Sequence, residues 1–261
     1  MAKVLILATN YGTWGEELQA PWDVITQAGH AVTLATPRGK KPLPLVVSID
    51  PDFVDPIQHC KTNPPEVCAR IKALTDGDEW AHSIKFEDAK MANYDAIVLT
   101  GGLGAMIDMC NSVHVHNLLL DAYYSNKLIG ALCYAITALA FTRDARNKYR
   151  SIIYGKKVTA HPRDWDFLGF DFTYPMYGET EDNKHTDVIT PGFLWPAEDV
   201  TRDAVGPDGE CLCFPDTTNR ENPCVVYDWP FITGTSVESS IAYGKKIVEV
   251  LQRREKGLAY L

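Results

Sequence analysis

The stretch Leu128 to Leu139, LIGALCYAITAL, constrains the fold of this chain more than any other. An apolar run ends at Cys133, and an Ala-rich helical pattern starts at once. A short buried strand passing straight into a helix needs a sharp turn, with Cys133 at its tip. Such a turn is a nucleophile elbow: the side chain is held clear of the sheet, and the next backbone N–H groups face whatever binds there. The positive end of the helix is expected to favour thiolate over thiol. Chemistry is therefore expected first at Cys133.

The rest of the first half alternates strands and helices. KVLILA, Lys3–Ala8, predicts a buried strand, and Glu16–Ala28 has helical spacing with Leu18, Trp22, Ile25 and Ala28 apolar. Ala31–Thr36 and Ala96–Thr100 read as strands, and Val113–Ser125 as a helix. This rhythm implies an α/β fold with a mainly parallel sheet and helices on both faces. Ligands bind beyond the carboxyl ends of such strands. Near the end, Cys224–Asp228 and Phe231–Thr233 flank Trp229–Pro230 as a tight β-pair. Ser236–Arg253 predicts a closing helix, with Ser236 as its N-cap and Glu238 and Glu249 beside its polar face. Two stretches break the rhythm, residues 37–75 and 163–223. The second is long enough to hold a cap over the site. One domain over residues 1–261 with these two insertions is expected.

Charge and cysteine usage narrow the function classes. The formal net charge is −9, which argues against nucleic acid or an anionic membrane as partner. No apolar run approaches the roughly 18–20 residues that span a bilayer, and the N-terminal sequence does not read as a signal peptide. The seven cysteines are an odd, scattered set, which fits free thiols in a reducing cytoplasm rather than a disulfide framework. Cys211 and Cys213 are one residue apart with no second pair at zinc spacing, so no metal is expected.

Three groups accompany Cys133. Glu17, in TWGEELQAP, falls in the first helical turn after the first strand, and Pro21 is expected to loosen that turn. A carboxyl facing a cysteine can hold a proton or act as general acid/base. The same spacing also fits a surface glutamate at a helix start, the reading preferred for Glu16. Gly101–Gly102, in LTGGLGAMID, let the backbone approach a ligand and offer N–H donors, and a plain strand-to-loop turn fits equally. The spacing is not that of a dinucleotide fingerprint. His161, in KKVTAHPRD, is a base for the thiol if it reaches Cys133, and otherwise a loop histidine. Tyr11, Trp14 and Trp22 are candidates to shape an apolar pocket near Glu17. Trp165, Trp195 and Trp229 are expected to be exposed, at an interface or lid.

In order and spacing, KVLILAT, EELQAPWDVITQAGHAVTLATPRG, NYDAIVLTGGLGAMID, GALCYAITALA, GKKVTAHP and FITGTSVESS resemble the ThiJ/PfpI superfamily. The resemblance implies a flavodoxin-like, doubly wound, three-layer fold of the class I glutamine amidotransferase type. It implies that Cys133 is the elbow nucleophile and Glu17 its carboxylate partner. The Glu17-to-Pro21 spacing is similar to that of the chaperone/glyoxalase III branch. That branch usually has His after the Cys, where this chain has Tyr134, and often His in the GGxG loop, where it has Leu103. KVTAHP is similar instead to the parkinsonism-associated deglycase branch, so the resemblance implies His161 as the replacement base, with the Tyr134 hydroxyl, a poor base at neutral pH, as the alternative proton donor.

The resulting expectation is a cofactor-independent lyase or hydratase acting on a small reactive electrophile. Cys133, Glu17 and His161 carry the chemistry, and Gly102, Leu103, Tyr134 and Trp14 bind oxyanion or substrate. The resemblance suggests conversion of a reactive carbonyl such as methylglyoxal to a hydroxy acid. Isonitrile-hydratase-like water addition and a non-enzymatic redox-sensing or holdase role are the alternatives. Its relatives' habit implies a homodimer.

Overall fold

The computed structural model describes residues 1–56, 58–168, 171–172, 176–177, 189–190, 195–213 and 219–257. For residues 167–168, 171–172, 176–177 and 189–190 it describes the backbone alone. The elements that position the site are β1 (Lys3–Leu7), α1 (Gly15–Gln27), β2 (Ala31–Thr36), α2 (Pro65–Asp76), β3 (Ile84–Lys85), β4 (Ala96–Leu99) and α3 (Val113–Tyr124). They continue with β5 (Leu128–Leu132), α4 (Ile136–Phe141), β6 (Lys157–Val158), α5 (Ala197–Val205), β7 (Glu210–Cys211), β8 (Val225–Asp228), β9 (Phe231–Gly234) and α6 (Ser240–Glu255).

The central sheet runs in the order β8-β9-β5-β4-β1-β2-β3. Its pairs are parallel except β8 with β9, an antiparallel hairpin turning at Trp229 and a cis Pro230. Every residue of β4 and β5 is buried, as are Val4–Leu7 of β1. Strands covered on both faces have no solvent side, so their sequences are unbroken apolar runs rather than alternations. Helices α1 and α6 pack together on one face, and α3 with α4 on the other. Gly130 shows how closely α6 lies on β5: a Cβ there would fall 2.4 Å from the Tyr243 hydroxyl.

The order places β2 on one side of β1 and β4 on the other. Connections therefore leave in opposite directions at the β1/β4 boundary, and a crevice opens there beyond the carboxyl ends. The segments that enter it follow β1, β4 and β5, and they carry Trp14, Gly101–Leu103 and Cys133.

Three expectations need correction. The closing helix starts at Ser240, after a 3₁₀ turn over Val237–Ser239, and Ser236 makes no side-chain cap. Glu238 is buried rather than on a polar face. Helix α1 runs continuously through Pro21 although the proline lies in its interior, where it removes one backbone hydrogen bond, and Pro21 is packed on Gly244 of α6. The insertion at 163–223 contains a helix, α5, which begins after Pro196 with Glu198 and Asp199 in its first turn. Glu198 accepts a hydrogen bond from the Arg163 backbone N–H, which ties α5 to the loop after His161. The remainder of the cap expected there lies largely outside the described residues. In all described helices, none is long and apolar enough to cross a membrane.

Gly130→Ala should destabilise the protein by about 1–3 kcal/mol through overpacking against Tyr243. Tyr243→Phe removes the clashing oxygen together with its hydrogen bond to the Leu99 carbonyl, 3.3 Å. The double variant should therefore be more stable than the two single losses summed, as read by urea unfolding. Simple additivity would show that this contact does not limit the approach of α6.

Candidate active site

Cys133 stands at the end of β5 with φ of 57°, in the left-handed region that a non-glycine residue enters at a cost. The strain is held by its surroundings: β5 is buried on both sides, and a 3₁₀ turn over Cys133–Ala135 leads directly into α4. The elbow expected from the sequence is present.

Glu17 reaches the same point from the first turn of α1. Its side chain is 1% exposed and faces the Cys133 thiol, and its Oε2 makes no hydrogen bond among the described residues. The gap between them is filled by the chain itself. A Cβ on Gly101 would lie 2.2 Å from Glu17 Oε2 and 2.7 Å from Cys133 Cβ, and one on Gly102 would lie 2.2 Å from the Trp14 nitrogen. The glycine pair therefore makes room for Glu17 and Trp14, and Gly102 also borders the cavity. Gly102, at φ of 99°, also needs the conformational freedom of glycine.

His161 lies beyond β6, and its Nδ1 is 3.5 Å from Cys133 Sγ and 3.2 Å from Ser236 Oγ. Its Nε2 is 3.3 Å from Asp166 Oδ1. The Tyr134 hydroxyl donates to that same Asp166 oxygen at 2.6 Å, and its ring lies 4.4 Å from the imidazole. Cys133, His161 and Asp166 thus form a continuous sulfur–imidazole–carboxylate chain. Tyr134 braces it instead of presenting a free hydroxyl.

Burial governs the protons. It pushes the Glu17 carboxyl up to about 8, against the opposing pull of the facing thiol and the nearby imidazole. Burial also raises the Cys133 thiol, and the Glu17 carboxylate adds to this. At neutral pH the carboxyl therefore carries its proton. The expected ionisation of the sulfur by a helix end is corrected: Cys133 is 2% exposed, and desolvation outweighs the hydrogen bonds from Ser236 and the Tyr134 backbone N–H. For His161, burial works against the charge, but Asp166 prevails and moves the imidazole above its ordinary value.

These groups border a cavity of about 50 Å³. At 10–15 Å³ for each water-sized position, that is room for roughly three to five. Trp14, Glu17, Gly102, Leu103, Cys133, Tyr134 and His161 all line it. The insertion after β2 contributes Asp55, Gln58 and Thr62, and the loop after His161 contributes Trp165 and Asp166. Trp165, expected to be exposed, is 5% exposed in the cavity wall. Trp229 bonds Asn126 and Trp195 meets Phe141 edge-on. Of the three aromatics proposed near Glu17, only Trp14 reaches the cavity. Tyr11 lies under Arg38, and the Trp22 indole N–H points to Glu79.

Asp166 and Ser236 are site residues that the sequence reading missed. Asp166 is one of several acids in a stretch without periodicity, and Ser236 had a simpler use as a cap. Glu16 is buried beside Glu17 but turned away, onto the Arg220 guanidinium. No group of three or more metal-ligating side chains occurs among the described residues.

A family model described as ThiJ/PfpI family-like matches residues 8–165. The chain belongs to this family. A glutathione-independent glyoxalase of Schizosaccharomyces pombe is 28% identical over 173 residues, 60% of this chain and 66% of that protein. A Parkinson disease protein 7 homolog of Danio rerio is 31% identical over 178 residues, 67% of this chain and 74% of the other. In fold the chain is similar to glyoxalase III from Candida albicans, with a TM-score of 0.68 at 18% identity, covering 95% and 96% of the two chains. Drosophila melanogaster DJ-1beta gives 0.52 at 20% identity over 99% of both. The flavodoxin-like fold expected for the family is the fold found.

A raised carboxyl makes stability depend on pH. The Glu17 contribution is complete below the ordinary value of 4.5 and is lost as pH rises to about 8. Glu17→Gln keeps the neutral shape. Its stability relative to the parent should therefore grow between pH 5 and pH 9, by up to about 1.4 kcal/mol per pH unit. Urea unfolding at both pH values checks this, and a pH-independent difference would place an ionised carboxylate in the folded protein.

Proposed function

We propose that this protein is a cysteine-dependent, cofactor-independent enzyme that converts a small α-oxoaldehyde such as methylglyoxal to the corresponding 2-hydroxy acid. The observation that carries the reading is the placement of one sulfur between a protonated carboxyl and an imidazole 3.5 Å away, in a cavity of about 50 Å³. A cavity of that size suits a substrate of a few heavy atoms. The glyoxalase names of the fission-yeast relative and of the Candida albicans structure support it.

In this reading Cys133 Sγ adds to the aldehyde carbon. His161 Nδ1 takes the thiol proton, and Asp166 stabilises the imidazolium through Nε2. Backbone N–H groups of Gly102, Leu103 and Tyr134 receive the developing oxyanion. The indole N–H of Trp14, buried without a partner among the described residues, donates to the second carbonyl oxygen. The imidazolium returns its proton to the oxyanion, His161 then takes the carbon-bound proton of the thiohemiacetal, and Glu17 supplies one to the neighbouring ketone oxygen. Protonation of the former ketone carbon by the imidazolium, with the hydroxyl proton of the sulfur-bearing carbon returning to Glu17, gives a 2-hydroxy thioester. Water then releases the hydroxy acid and restores the thiol, so the net change is addition of one water. Glu17 is suited to its part because burial keeps it protonated near neutral pH. Tyr134 leaves proton transfer to His161, since its hydroxyl is committed to Asp166. The same reading carries a homodimer acting in the cytoplasm.

Cys133→Ala should abolish conversion of methylglyoxal to lactate. Glu17→Gln and His161→Ala should each lower kcat by about 10²–10⁴-fold with melting temperatures nearly unchanged for His161→Ala. Turnover that survives Cys133→Ala would overturn the nucleophile role. Turnover of a simple isonitrile, but of no oxoaldehyde, would move the reaction to water addition on that substrate.

Asp166→Asn keeps the bond to Tyr134 and removes the charge facing His161. It should shift the pH profile of kcat/KM as the imidazole falls toward its ordinary value. A profile that stays in place would reduce Asp166 to a packing role.

A further inference from the structure

Cys211 and Cys213 lie outside the candidate active site. Cys211 ends β7, which pairs in parallel with β6, and the Leu212 N–H continues that ladder to the Val158 carbonyl at 2.8 Å. On an extended segment, residues two apart project to the same face. Their sulfurs are accordingly 3.7 Å apart, both as free thiols. Two residues of extended chain span about 6.6 Å, inside the roughly 4.4–6.8 Å Cα separation that a disulfide accepts. Parallel Cβ vectors keep the two Cβ atoms farther apart than the roughly 3.5–4.5 Å of a disulfide, so closure also bends the chain at Leu212–Cys213, beyond the end of β7.

We propose that Cys211 and Cys213 are a redox-active dithiol that a hydroperoxide closes to a reversible intrachain disulfide.

The two thiols are not equivalent. Cys211 is buried, while Cys213 is half-buried and is the one that an oxidant reaches. The Cys211 S–H hydrogen bond holds the Cys213 thiol below its ordinary value, with burial and the Glu198 carboxylate opposing and the Arg202 guanidinium assisting. The Cys213 thiolate attacks the outer oxygen of the hydroperoxide. The O–O bond breaks, and the inner oxygen leaves as alcohol, or as water from hydrogen peroxide, after taking a proton. Cys213 is then a sulfenic acid. The Cys211 sulfur gives up its proton and attacks the Cys213 sulfur, the S–S bond forms, and water departs. Two electrons pass from the two sulfurs to the peroxide bond. Transient, sensing disulfides of this kind are the sort found in reducing compartments.

The pair has a direct line to the active-site strand, because Cys213 Sγ lies 3.3 Å from the carbonyl oxygen of Ala160, the residue before His161. Closure takes Cys213 away from that carbonyl. The proposal itself does not rest on the oxoaldehyde reading, and it holds whatever Cys133 does.

The test is peptide mass mapping of the full chain after a short exposure to hydrogen peroxide, with free thiols blocked by iodoacetamide. The expected result is a loss of two hydrogens on a peptide holding both Cys211 and Cys213, reversed by dithiothreitol. It should persist in Cys133→Ala and vanish in Cys211→Ser, where Cys213 should instead accumulate as sulfenic acid. The wild-type and Cys133→Ala maps decide the matter even if Cys211→Ser does not fold. Independent alkylation of both thiols after peroxide, separate overoxidation of each, or a bridge from either one to Cys224 would overturn the proposal.

Discussion

A carboxyl and a thiol meet where water does not reach, and the rest of the site is arranged around that contact. It exists because Gly101 has no side chain: any Cβ there would overlap both partners. Desolvation then gives the pair its character. In water the carboxyl would be ionised and the thiol a neutral bystander. Buried, the carboxyl holds its proton to about pH 8, and the sulfur cannot ionise without help from a neighbouring base.

That help comes from a second layer of structure. His161 arrives on a segment outside the central sheet, and it is fixed by Asp166 on one nitrogen and Ser236 on the other. Asp166 in turn receives the Tyr134 hydroxyl, so the residue after the elbow cysteine and the imidazole are held by one carboxylate oxygen. Helix α5 anchors the loop between them through Glu198 and Arg163. Where the residue after the cysteine is Tyr134, an imidazole reaches the sulfur from across the crevice. The cavity is small because two insertions close over it, one bringing Asp55, Gln58 and Thr62 and the other bringing Trp165.

Much of this was legible in the chain itself, for a definite reason. Cys133 and Gly101–Gly102 each sit where a strand ends, and strand ends are marked by abrupt changes in hydrophobic pattern. Glu17, in the first turn of α1, and His161, after a short strand, fit a surface glutamate and a loop histidine by spacing alone, and the family resemblance is what pointed to them. Asp166, Ser236 and Glu238 were not legible, because each had an ordinary local reading as a loop acid, a helix cap and a solvated glutamate. Nothing local distinguishes a capping serine from one turned onto an imidazole in sequence-distant chain. The same limit applied to Trp165, whose burial depends on what folds over it.

The sequence alone determined the strand–helix alternation of the first half and the elbow at Cys133, because these follow from hydrophobic periodicity, whereas the crevice at β1 and β4 follows from the strand order of the folded sheet. Only the tertiary structure decided which groups hold protons and which imidazole, carboxylate and hydroxyl meet. Proton affinity depends on how much water is removed and on which charges remain nearby, and both are properties of the assembled fold.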